Sequence, residues 1–182
     1  IGKTVTFSNF SLSGSAANNY LLSAQPRSVT ADITAKSVII SGLFAEDKIY
    51  DATTTATISG TGMIIGNLDG TNLNISPGIA TFDNKNIGTN KTVTFSGFSL
   101  HGSSIGNYIL SSQPVSVTAN ITAKSVTISG LSANDKVYDG TITATTSGGT
   151  IDGNLDGLNL TFSGIATFDN ANVGSNKAVT FS

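Results

Sequence analysis

Lys91-Thr92-Val93-Thr94-Phe95 decides how this chain is read. Its apolar residues alternate with threonines, the period-two pattern of an extended strand rather than the 3.6-residue stripe of a helix. Val93 and Phe95 then share an inward face. Thr92 and Thr94 share the outward one, where β-branching favours the extended backbone. The same pattern stands at Lys3-Thr-Val-Thr-Phe7 and, with one Ala for Thr, at Lys177-Ala-Val-Thr-Phe181. One motif therefore announces both a strand and a repeat.

Working outward, every neighbouring motif recurs. Asn19-Tyr-Leu-Leu22 returns as Asn107-Tyr-Ile-Leu110, and Gln25-Pro26 as Gln113-Pro114. Ala35-Lys-Ser-Val38 returns as Ala123-Lys-Ser-Val126, and Lys48-Ile-Tyr-Asp51 as Lys136-Val-Tyr-Asp139. These steps are all 88 residues; Ala80-Thr-Phe-Asp-Asn84 returns after 86, as Ala166-Thr-Phe-Asp-Asn170. Small indels near Gly60–Gly66 and at Pro77 account for the difference. A period of this length is too long for a solenoid coil and suits a small sandwich domain.

The expected fold class is all-β: tandem immunoglobulin-like antiparallel β-sandwich modules of about 88 residues each, elongated as a string. Eight to ten short strands are expected per module. Ile33-Thr-Ala-Lys36, repeated as Ile121-Thr-Ala-Lys124, reads as the seam. It makes 1–34 the C-terminal part of a preceding repeat, 35–122 a complete repeat and 123–182 the N-terminal part of a following one. Asp69-Gly70, Asp139-Gly140, Asp152-Gly153 and Asp156-Gly157 mark turns. Tyr50, Phe82, Phe95, Phe98 and Tyr108 are the expected core anchors, and the hydroxyls of Tyr50 and Tyr138 are expected to bond nearby backbone as corner tyrosines.

Composition sets the exclusions. Charged residues are only 11% of the 182-residue chain, and 66 residues are Ser, Thr or Asn, so the surface is polar but weakly charged. The formal net charge of -2 offers no basic footprint for nucleic acid. Without cysteine there is neither a disulfide nor a thiolate site. No apolar run reaches the length of a membrane helix. The chain opens Ile1-Gly2-Lys3, so an export signal is expected outside it.

Reactive chemistry is poorly supplied. His101 is the one histidine and its counterpart is Ser13; Glu46 is the one glutamate and its counterpart is Asn134. A triad and a paired-carboxylate site are both unsupported. The expectation is no enzyme, with no catalytic, cofactor-binding or metal-ligating residues. Asp47, Asp51, Asp69 and Asp83 recur as Asp135, Asp139, Asp156 and Asp169. Turn-forming aspartate explains them, with calcium at the seams as the alternative. Lys48, Lys91, Lys136 and Lys177 beside Asn-rich loops raise a Lys–Asn isopeptide crosslink. Asn9, Asn74, Asn90, Asn120 and Asn159 lie in glycosylation sequons. The absence of Trp and the repeated settings of the four Tyr, expected to be buried, argue against a carbohydrate platform.

Lys136-Val-Tyr-Asp-Gly140, with the 166–174 run, the 177–181 strand and Gly106-Asn-Tyr-Ile-Leu110, resembles the YDG domain, over essentially the whole chain. The first copy departs from it with Ala52 in place of Gly, which loosens the turn argument there. The resemblance implies tandem repeats of bacterial extracellular or surface proteins similar to filamentous-haemagglutinin-like adhesins, and no catalytic residues. The expected role is a structural stalk, spacer or fibre repeat at the bacterial cell surface, its partners being neighbouring repeats. Two alternatives are a module binding a host glycan or protein through exposed loops, and a filament subunit in which residues 1–34 complete the 123–182 half of another copy by β-strand complementation.

Overall fold

The computed structural model describes all 182 residues. It is all-β, with nineteen short strands and four three-residue 3-10 turns as its only helical segments. None of these is long or apolar enough to cross a membrane. Residues 35–122 hold twelve strands rather than the eight to ten expected, because several extended runs are broken into two-residue pieces. Two compact units are formed, each drawn from separate stretches of chain: Ile1–Leu43 with Gly60–Gly78 and Phe95–Val115, and Phe44–Ser59 with Ile79–Thr94 and Ser116–Ser182.

In the first unit Lys36–Ser41 is the central strand of three, between Tyr108–Leu110 and Met63–Ile65. Asn74–Ser76 pairs with Ser99–His101. Val38, Leu100 and Tyr108 of these strands, with Leu73 just before Asn74–Ser76, make a small core against which Ile64 and Leu110 pack. Phe95 and Phe98 meet edge to face at 5.9 Å between centroids. The Gln113 side chain holds Phe98 by accepting from its N–H (2.8 Å) and donating to its carbonyl (2.9 Å). Gly78 sits where any Cβ would collide with the Ser96 carbonyl and the Phe98 ring, so only glycine fits.

The second unit centres on a five-stranded sheet in the order Lys48–Ile49, Val117–Thr122, Gly88–Ser96, Ile79–Phe82, Thr55–Ala56. Alternation puts Ala56, Ala80, Phe82, Val93, Ala119 and Ile121 inside, all buried. Later in the chain Thr127–Ala133 pairs with Thr146–Asp152, and Ala166–Phe168 lies between Thr143–Ala144 and Val179–Phe181.

Two pairings correct the purely antiparallel expectation. Tyr108–Leu110 runs parallel to Lys36–Val38, and Ile121–Thr122 runs parallel to Lys48–Ile49. The last strands of the 35–122 stretch return beside its first strands in the same direction. Parallel neighbours need a long crossover, and the intervening residues supply one.

Equivalent residues pair in equivalent ways. Lys91↔Ala119, Thr92↔Thr118 and Val93↔Val117 reappear as Lys3↔Ala31, Thr4↔Thr30 and Val5↔Val29. Ala80↔Ala56 and Thr81↔Thr55 reappear as Ala166↔Ala144 and Thr167↔Thr143. Phe7 and Phe10 repeat the edge-to-face contact at 5.8 Å, and Gln25 grips Phe10 as Gln113 grips Phe98. The aromatic anchors divide: Phe82, Phe95, Phe98 and Tyr108 are buried, whereas Tyr50 is only half-buried.

Candidate functional site

The Lys-x-Tyr-Asp motif builds a knot of polar contacts. Lys48 Nζ donates to Asp51 Oδ1 (2.7 Å), to the carbonyls of Thr53 and Thr55 (both 2.9 Å) and to Thr53 Oγ1 (3.1 Å). Asp51 Oδ1 also accepts from the Thr53 N–H and hydroxyl. The second copy reproduces each contact with Lys136, Asp139, Thr141 and Thr143, at 2.8–3.0 Å from the amine. Each amine also lies over a ring, Lys48 over Phe82 at 5.4 Å and Lys136 over Phe168 at 5.6 Å. Hydrogen bonds from the lysine, then from the threonine N–H, pull Asp51 and Asp139 down to about 2.

The turn needs a left-handed residue after the aspartate. Gly140 supplies it at φ +75°, and Ala52 adopts the same conformation at φ +64°. The Ala departure therefore keeps the turn, at the steric cost a Cβ brings there. Turn-forming aspartate is what the structure holds at these two positions. Asp47 behaves differently: it accepts from the backbone N–H of Asn120 (2.6 Å) and from its side-chain amide (2.8 Å), tying two strands.

A second knot joins Lys91 to Asp83 Oδ1 and Asn84 Oδ1, both at 2.8 Å. Lys177 repeats it with Asp169 (2.8 Å) and Asn170 (2.7 Å). The Lys91 side chain is buried while Asp83 is half exposed. Lysine, asparagine and an acid do come together here, as an isopeptide reading requires. The electrostatics oppose the reaction: the Lys91 hydrogen bond holds Asp83 below its usual range, so it is a carboxylate and not a proton donor.

Tyr50 corrects the corner-tyrosine expectation. Its hydroxyl donates to Asp156, 2.8 Å from each carboxylate oxygen, and not to nearby backbone. Lys85 completes the group, donating to Asp156 Oδ1 at 2.8 Å and lying 5.9 Å from the Tyr50 ring centre. Lys85 first, then Tyr50, lowers the Asp156 pKa, and Asp156 in turn raises that of Lys85. Tyr138, the counterpart of Tyr50, is 63% exposed. In the first copy the equivalent aspartate, Asp69, accepts instead from Tyr108 at 2.7 Å, and the Tyr108 oxygen accepts from the Leu68 N–H. The Tyr50–Asp156 partnership has no sequence signal, because it links non-equivalent positions of two copies.

The remaining candidates stay apart. His101 Nδ1 has one side-chain neighbour, Ser76 Oγ at 3.1 Å. No group of three or more His, Asp or Glu gathers in a way that would hold a metal. Of the sequon residues, Asn120 is engaged by Asp47 and accepts from the Asn90 N–H. The expectation of four buried tyrosines is also corrected: Tyr20 is 73% and Tyr138 63% exposed.

Taken together, the chain is an all-β protein in which one set of lysine-centred knots is built twice. Residues 34–116 and 122–182 each match the YDG domain, and the chain belongs to that family. No curated protein and no solved structure matches it.

Proposed function

We propose that this chain is a structural spacer: serial YDG repeats, 1–34, 35–122 and 123–182, folded as immunoglobulin-like sandwiches in an extracellular bacterial surface protein. The observation that carries the reading is the Tyr50–Lys85–Asp156 cluster, where two side chains of the first family match grip one of the second. A flexible tether needs no such contact. Only Ala123–Val126 separates strand Val117–Thr122 from strand Thr127–Ala133, too little for a loose linker. Low charge, a Ser/Thr/Asn-rich surface and the absence of cysteine suit an exported array. The lysine knots support a mechanical role, since they spend lysine and aspartate on holding backbone and leave no paired acid and base.

The test is small-angle X-ray scattering of the intact chain. A compact 182-residue globule has a radius of gyration of about 16 Å. Serial repeats give a clearly larger value and a skewed pair-distance distribution. A value near that of the globule would remove the spacer reading.

A further inference from the structure

In the first unit Lys36–Ser41 runs between Tyr108–Leu110 and Met63–Ile65, so Met63–Ile65 is an edge of that sheet with no strand paired on its far side. All three strands lie inside the first family match, 34–116. Ile39 stands opposite Ile65, Ser41 opposite Met63 and Ser37 opposite Ile109. Residues matched in register share a face of the sheet. Val38 and Ile40 are buried on the inner side, which leaves Ile39 (45% exposed), Ile65 (47%), Met63 (59%) and Ile109 (56%) on an outer face in solvent. No charged residue interrupts that face: its other members are Ser37 and Ser41.

The second family match has the same two antiparallel strands in the same register, and a different outer face. Thr127↔Asp152, Ile128↔Ile151 and Ser129↔Thr150 repeat Ile39↔Ile65, Ile40↔Ile64 and Ser41↔Met63. The inward isoleucines are kept. The outward Ile39, Met63 and Ile65 become Thr127, Thr150 and Asp152. The strand pair therefore forms without apolar residues at these places, and the core does not require them. Asp152 also does what a charge on an edge strand does, which is to deter strand addition. Met63–Ile65 is short, but carries no such guard.

An uncharged edge of this kind is complementary to itself. About a two-fold axis at Ile64, two such strands pair antiparallel, Ile64 against Ile64 and Met63 against the partner's Ile65. The backbone groups on the open side of each edge then meet those of the other. Two three-stranded sheets become one of six, with the apolar outer faces continuous across the joint and no charge opposed to charge. The face alone offers a few hundred Å² of apolar surface, short of the roughly 800 Å² per partner of a standard complex, so the association is weak. A two-fold pairing closes on itself and stops at two chains.

We propose that Met63–Ile65 is a homodimerisation edge, through which two chains join by antiparallel strand pairing, and that Asp152 keeps the equivalent edge of the second family match out of such contacts. The inference stands independently of the spacer reading.

The test is sedimentation of the intact chain from ~10 μM to ~1 mM, a range that reports interfaces below the standard size. Amide spectra are recorded at each concentration. The mean mass is expected to rise from 18.5 kDa toward twice that value, with amide shifts moving at Thr61–Asn67. Ile65→Asp installs the residue that the second match carries. It is expected to weaken association about tenfold or more, because the carboxylate loses water at the joint. Met63→Thr, the other exchange between the matches, weakens it as well, and dispersed spectra establish that each variant is folded. A monomeric unaltered chain, undiminished association of the folded variants, or shift changes confined to other strands overturns the proposal.

Discussion

Tyr50 and Asp156 meet hydroxyl to carboxylate at 2.8 Å across 106 residues of sequence. The contact links a residue of the first family match to an aspartate of the second, whose counterpart Asp69 serves a partner within its own match, Tyr108. Tyr50→Phe removes the donor and keeps the ring beneath Lys85. Amide exchange across Gly153–Leu160 should quicken in this variant, while the Lys36–Ser41 and Tyr108–Leu110 strands stay as protected as before. Uniform loss of protection would mean that Tyr50 supports the whole fold and not the Asp156 turn alone.

The Lys48 and Lys136 knots make an acid-resistance prediction. Asp51 and Asp139 have folded-state values of about 2, below their ordinary 3.8. A depressed carboxyl contributes stability that is fully present above the unfolded value and is lost as pH falls through the folded one. The knots should therefore hold at pH 4 and open between roughly pH 4 and 2. Carboxyl carbon shifts followed by NMR titration should show both residues titrating near 2. Titration of either near 4 would mean that its lysine contact does not persist in solution.

Phe82 and Phe168 occupy equivalent places and differ in burial. Phe82 is 2% exposed on the inner face of the five-stranded sheet, whereas Phe168 is half-buried. Truncating a buried phenylalanine costs about 3–5 kcal/mol, a large share of the 5–15 kcal/mol that holds a typical domain. Phe82→Ala should unfold the sheet that carries it or shift its denaturation midpoint far down. Phe168→Ala should cost clearly less, because much of its surface already meets water. Equal losses in urea denaturation would contradict the difference in packing.

How much of this was legible in the sequence depends on range. The Lys-Thr-Val-Thr-Phe alternation places Val93 and Phe95 inside correctly, because period two is a property of the strand itself. Phe82 follows for the same reason, whereas Phe98 lies between two strands and out of phase with Val93 and Phe95, so its burial is not a consequence of alternation. Gly140 gives the left-handed turn away, whereas Ala52 hides an identical one, since alanine carries no bias toward positive φ. The parallel pairings were not readable: direction depends on which strands become neighbours, and alternation says nothing about neighbours. Sequence assigns Tyr50 to nearby backbone, whereas its partner lies in the other copy. Asp47 reads as one more turn aspartate, yet its partner is Asn120 on a distant strand. Periodicity marks a residue's face, but a long-range hydrogen bond leaves no local trace.

Lys91 decides whether this protein carries a covalent crosslink. Its amine sits 2.8 Å from the side-chain oxygen of Asn84 and 2.8 Å from Asp83, and Lys177 repeats the set with Asn170 and Asp169. Forming an isopeptide requires an uncharged amine to attack the Asn84 carbonyl carbon while a protonated acid assists. The new C–N bond displaces one ammonia. Here the lysine is ion-paired, and hydrogen bonds from Lys91 and Lys177 hold Asp83 and Asp169 below the usual carboxylate range. Above that range each acid is ionised and each pair is locked as a salt bridge, which withholds both the nucleophile and the proton. The intact mass should therefore equal that of the unmodified sequence, and peptides bearing Lys91 and Asn84 should separate after digestion. A deficit of one ammonia per repeat, lost on Lys91→Arg substitution, would show that the pair reacts despite its charge state and would make these repeats covalently braced.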